Sequence, residues 1–211
     1  MPVRTGFALI LFAASFALAG PSAAQNAPLR CSDVENCELR VDHVSSQASD
    51  PFRHGLGPIG EDHPRWDIWG GPIAKYRSVR DCLPPEAGAA DPPRVLAFDW
   101  SAPDSLHAMN VCLFRIVASL KDYDEVRNWF AAYGFRVSKV GHVWADTDDP
   151  YFKDRPLWIM SASMPAGKFY ALRPNWLHAT FGVSTAYSAS ISVQWDGSGR
   201  LVVTDFVMNV V

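Results

Sequence analysis

Tyr187-Ser188-Ala189-Ser190-Ile191-Ser192-Val193-Gln194-Trp195, then Asp196-Gly197-Ser198-Gly199, then the Val-rich run Leu201 to Val211, is the stretch that decides the fold. Tyr187, Ala189, Ile191, Val193 and Trp195 alternate with three serines and a glutamine, the period of a strand with one face in the core and one in water. Asp196 to Gly199 are turn residues with permissive backbone angles, so the chain returns as a second strand and ends in a hairpin.

Working outward, Leu157 to Met164 is a further strand candidate, which Pro165-Ala166-Gly167 turns toward Lys168 to Leu172. Upstream stands the cleanest helix signal. Asp122 is an N-cap with Glu125 three residues on; Tyr123, Val126, Phe130 and Tyr133 share a face, and Gly134 follows as a C-cap. Phe135 to Val140 then reads as a strand. Val111 to Ala118 is a dense, β-branched apolar run that reads as a strand from about Val111, although Leu106, Met109, Leu113, Ile116, Val117 and Leu120 also fit a helical stripe. Arg94 to Trp100 is expected as a strand with Leu96, Phe98 and Trp100 on one face, and the Val111 run, the helix after Asp122 and Phe135 to Val140 make a strand, helix, strand unit. Glu38 to Val44 alternates as a short strand. From Asp50 to Pro93 repeated Gly and Pro interrupt regular structure, while Trp66, Ile68, Trp69, Ile73 and Tyr76 pack part of the segment down.

The expected fold class is α+β: a mostly antiparallel sheet with one or two helices packed on one face, and a long irregular N-terminal region stapled by disulfides. Residues 25–211 are expected as a single globular domain, loop-rich over 25–93, with the sheet and helix core over 94–211. Hydrophobic residues make up 48% of the 211, enough for such a core.

Residues 1–24 carry a secretory signal: Arg4, an apolar run from Phe7 to Leu18, and the small residues Ser22-Ala23-Ala24. The run is short for a membrane span, and no Cys follows Leu18-Ala19-Gly20, so no membrane anchor is expected. The expected location is periplasmic or secreted. Arg4 is the one charged side chain in 1–24, so 18 bases face 22 acids in the remainder, a balance that argues against nucleic acid as partner. An oxidising compartment turns Cys31, Cys37, Cys82 and Cys112 into two disulfides, with Cys31–Cys37 and Cys82–Cys112 the expected pairing of three possible ones. A metal site is not expected, because no C-x-x-C pair is present; with no phosphate loop or dinucleotide fingerprint, no cofactor is expected either.

Three segments carry candidate chemistry. In His54 to Asp67, His54, His63 and Asp62 lie among glycines that allow close approach to a ligand, an arrangement suited to acid–base catalysis, yet no ligand spacing is matched; the plainer reading is a surface loop pinned by Trp66 and Trp69. Asp146, Asp148 and Asp149, flanked by Trp144 and Tyr151, cluster as calcium ligands do but lack the Gly and terminal Glu of an EF-hand. They read instead as a solvated turn, or as a protein-binding surface with aromatics at its centre and charge at its rim. His43-Val44-Ser45 and His178-Ala179-Thr180 resemble the paired H-x-[ST] motifs of two-histidine phosphoesterases, in which both imidazoles would serve as general acid and base. Nucleophilic catalysis has no G-x-S-x-G to support it.

Eight tryptophans are a rich supply, and Trp66, Trp69, Trp144 and Trp176 stand beside charge in segments that read as loops, so these are the ones expected to face a partner. The expected function is recognition of another protein in the cell envelope, as by an inhibitor or immunity protein; the alternative is a secreted hydrolase with a His/carboxylate site. Peptide mapping without reduction tests the cysteine assignment. The expected map joins Cys82 to Cys112 and Cys31 to Cys37, and four free thiols would overturn the stapled architecture.

Overall fold

The computed structural model describes residues 39–55, 57–144, 156–173 and 186–210. The expectations for residues 1–24, Cys31, Cys37, Asp146, Asp148, Asp149, Tyr151, Trp176 and His178 lie outside the described residues. Helices α1 (Trp66–Lys75), α2 (Pro85–Gly88), α3 (Leu106–Ser119), α4 (Tyr123–Ala132) and α5 (Ala166–Leu172) accompany strands β1 (Arg136–Val137), β2 (Gly141–Trp144), β3 (Pro156–Pro165), β4 (Ala186–Asp196) and β5 (Leu201–Val210). The strands form one antiparallel sheet in the order β1-β3-β4-β5, with β2 beside β1 along the same edge of β3. The fold class is α+β.

The C-terminal hairpin forms where the alternation placed it. Ala189, Ile191, Val193 and Trp195 are buried, while Ser188, Ser190, Ser192 and Gln194 on the opposite face stay half-exposed. Asp196 closes the turn: its side chain accepts from the Ser198 and Arg200 N–H groups and pairs with the Arg200 guanidinium. Helix α4 also begins as expected, with the Asp122 carboxylate accepting from the N–H groups of Asp124 and Glu125, each at 3.0 Å. It ends at Gly134, whose φ of 83° lies in the left-handed region.

Other expectations are corrected. Val111 to Ala118 is not a strand but the body of α3, and every residue from Ala108 to Val117 is buried. A helix enclosed on all sides loses its amphipathic stripe, so the apolar run mimics a central strand. Arg94 to Trp100 is a 3-10 turn over Val95–Ala97 rather than a strand. Its carbonyls are taken by aromatic tips from α4 instead of a neighbouring strand: Trp129 Nε1 donates to Val95 O at 3.0 Å and Tyr133 Oη to Leu96 O at 2.9 Å. With Val111 to Ala118 helical, the strand, helix, strand unit lacks its first strand. The Glu38 to Val44 strand reduces to one bridge between Val41 and Leu120. Phe135 to Val140 contributes only the two residues of β1, and Lys168 to Leu172 belongs to α5. More than two helices are present.

The expected loop from Asp50 to Pro93 contains α1, a 3-10 turn over Val79–Cys82, and α2. Gly70 and Gly71 each cost α1 about 1 kcal/mol against Ala, but burying Trp69 and Ile73 contributes roughly 1.5–3 kcal/mol per side chain. Packing therefore overrides propensity, and the Trp66 ring lies so close over Gly70 that a Cβ there would stand 2.6 Å from it. The expected Cys82–Cys112 disulfide is present, tying the 3-10 turn to α3.

Three polar residues of α3 hold its surroundings. Asn110 Oδ1 accepts from the Phe206 N–H at 2.8 Å and Asn110 O from Thr204 Oγ1 at 2.9 Å, closing part of the outer edge of β5. Ser119 Oγ accepts from the Ser45 N–H at 3.1 Å. Arg115, 0% exposed, donates to Gln47 Oε1 and to the carbonyls of Asp50 and Tyr76. Burial lowers its pKa to about 10, which leaves it charged at neutral pH. Arg115→Met would remove the donor from one buried acceptor, Tyr76 O, and two half-buried ones, Gln47 Oε1 and Asp50 O, and is expected to cost about 3 kcal/mol in denaturant unfolding; a cost near zero would show that the arm over residues 45–50 does not depend on this cation.

Candidate functional site

His54 and His63 are held by different contacts. His63 sits in a turn where its Nδ1 accepts from the Arg65 N–H at 3.1 Å, and Asp62 is exposed. His54 is half-buried against Trp69, with ring centroids 4.8 Å apart. The charges that act on it belong to Asp205, Arg65 and His107, not to Asp62 or His63. Trp69, expected to face a partner, is 1% exposed and serves as a hub. Phe52 lies at 4.9 Å, His107 meets it edge-on at 4.7 Å, and the Arg65 guanidinium covers it at 5.5 Å from the ring centroid. Trp66 is half-buried beside Gly70. Trp144 closes strand β2. His43 pairs with Asp50 at 2.7 Å while Ser45 is wholly buried, so this H-x-[ST] triplet does not present both side chains to one cleft.

The His54 cluster is built for packing. Its Nδ1 is buried and makes no hydrogen bond, and the Gly55 N–H fastens the loop to Val202 O on β5 at 3.4 Å. Burial lowers the His54 pKa most, with Arg65 and His107 adding to the shift and Asp205 opposing it. The native imidazole is therefore neutral at neutral pH.

A cleft of about 700 Å³ lies elsewhere, where β1, α5 and the adjoining ends of β3, β4 and β5 meet. Sequence reading missed it, because its residues come from five elements and only strand register unites them. Arg136, Ser163 and Ser190 stand opposite one another across β1, β3 and β4, forming one rung on the wet face of the sheet. Ser188 and Asn209 form the next rung across β4 and β5. Gly134 turns the chain out of α4 so that Arg136 reaches this edge, and Lys168 enters from α5. A register shift between Ala186 and Ser188 leaves Tyr187 without a cross-strand partner and 60% exposed at the rim. Phe135, Met164 and Pro165 supply apolar lining.

The polar chemistry of the cleft is one-sided. Asn209 Nδ2 donates to Ser188 Oγ at 2.9 Å and to Ser190 Oγ at 2.8 Å. No carboxylate or imidazole is among the lining residues, and among the described residues neither Arg136 nor Lys168 has an ion-pair partner. The only readable hint in sequence was the serine face of β4. The described residues hold no cluster of three or more metal-ligating side chains.

The lowered pKa of His54 makes stability pH-dependent. The unfolded chain takes up the proton near its ordinary value of 6.5 and the native state only at lower pH, so this contribution is complete above 6.5 and is lost as pH falls below it. The melting temperature is expected to drop more between pH 7.5 and 5.5 in the wild type than in His54→Phe; equal drops would remove His54 from the account. No family model, curated protein or solved structure matches the chain.

Proposed function

We propose that this is an exported binding protein that recognises another protein in the cell envelope, as an inhibitor or immunity protein does, and that the cleft beside Arg136 and Lys168 is its recognition surface. The observation that carries this reading is the composition of the cleft. Among the described residues it joins two cations without an ion-pair partner, three serine hydroxyls and an exposed tyrosine, and no carboxylate or imidazole that could move a proton during turnover. Tyr and Arg are the residue types that most often anchor protein interfaces. Export is supported by the signal-like residues 1–24 and by the Cys82–Cys112 disulfide, which suits an oxidising periplasmic or extracellular setting. Among the described residues no helix is long and apolar enough to cross a membrane. The hydrolase alternative has less support, since His54 Nδ1 is buried without a hydrogen-bond partner and His63 Nδ1 is taken by the Arg65 N–H.

The test is retention. Immobilised oxidised protein is exposed to periplasmic and extracellular fractions, and retained proteins are identified by mass spectrometry. One stoichiometric partner is expected on the wild type, reduced about tenfold or more on the double variant Arg136→Glu, Lys168→Glu. Retention of nothing, or equal retention by both forms, would defeat the proposal.

A further inference from the structure

The hydroxyl inventory of the cleft restricts what it can hold. A serine hydroxyl has one proton and two lone pairs. Ser188 and Ser190 each spend a lone pair on the Asn209 amide, which leaves their protons free to donate to a ligand. Arg136 and Lys168 can only donate, and Ser163 stands in the same rung as Arg136 and Ser190. The cleft is thus rich in donors and poor in acceptors, on a protein whose net charge is -3.

We propose that the cleft is an oxyanion site: the ligand's anchoring group is a carboxylate or phosphate held by Arg136, Lys168 and the Asn209-oriented hydroxyls of Ser188 and Ser190. The inference rests on reading this cleft as the binding surface and adds the chemistry of what enters it. Charge-assisted hydrogen bonds from such donors are stronger than neutral ones, and their convergence selects for negative charge. A lone phosphate would fill only a small part of about 700 Å³, so the oxyanion is one end of a larger ligand. The Tyr187 ring, 60% exposed at the rim, takes up its body.

Asn209 is the positioning residue, and Asn209→Asp tests it with almost no change of shape. A carboxylate would accept from both serine hydroxyls, turn their protons inward, and repel the ligand. In a titration of 15N-labelled protein followed by NMR at constant ionic strength, inorganic phosphate and acetate are added separately. Saturable shifts at Ser188, Ser190 and the Asn209 side-chain amide are expected, with a dissociation constant on the order of 1 mM for such small anions. Asn209→Asp should abolish them, and Arg136→Gln with Lys168→Gln should weaken binding about fivefold or more while leaving the core resonances unmoved. Tighter phosphate points to a phosphorylated ligand, and equal or tighter acetate to a carboxylate. Shifts that are absent, or scattered over the surface and unchanged in both variants, would reveal an adventitious ion only and overturn the inference. Anion binding without a retained protein would keep this inference and remove the protein-partner reading; a retained partner without anion binding would do the reverse.

Discussion

Helix α3 has no wet side, and the rest of the molecule follows from the need to cover it. A helix buried between Ala108 and Val117 requires neighbours in every direction, and it finds β5 on one side and α1 with the Val79–Cys82 turn on others. Its polar groups must also be satisfied, because a buried donor or acceptor left without a partner costs as much as several good contacts contribute. Asn110 lies about 140° around the helix from Arg115, and Arg115 and Ser119 lie within about 40° of one another. Asn110 accordingly meets the edge of β5, while Arg115 and Ser119 face the arm and receive its loose carbonyls and N–H groups. An irregular segment is ordered because one guanidinium gathers it.

The sheet divides the labour. Its inner face, with Met160, Ala162, Ile191, Val193 and Phe206, joins the same core as Trp69, Trp100 and Trp129. Its outer face carries hydroxyls and amides over the half near β1, and a small apolar cluster of Leu157, Val202 and Val203 near the hairpin turn. The cleft belongs to the hydroxyl-bearing half. Aromatic side chains that would have attracted attention as binding groups, Trp69 above all, are instead consumed by packing between α1, α3 and the loop at Phe52.

Legibility in the sequence tracked how asymmetric each element's surroundings are. Strand β4 has one dry and one wet face, and helix α4 has a wet side and an acidic cap, so both announced themselves. Helix α3 is dry all round and α1 is interrupted by Gly70, Gly71 and Pro72, so the first mimicked a strand and the second a loop. The Cys82–Cys112 bridge was legible from the even number of cysteines and the absence of a metal-ligand spacing. The cleft was not: Arg136, Ser163 and Ser190 are 54 residues apart from first to last, and nothing short of register shows that they are neighbours. Charge clusters along the chain drew attention to the His54 to Asp67 segment, where local density of ionisable groups reflects turns and ring packing.

The serine rungs have a consequence for how the protein can change over generations. Ser163, Ser188 and Ser190 face away from the core, and none of them is among the fully buried residues that hold the fold. Substitutions there alter shape and hydrogen bonding in the cleft at little thermodynamic cost, whereas the alternating neighbours Ala189 and Ile191 are constrained by packing. One side of β4 is therefore free to vary while the other preserves the scaffold, so sequences can diverge rapidly at every second position of a single strand.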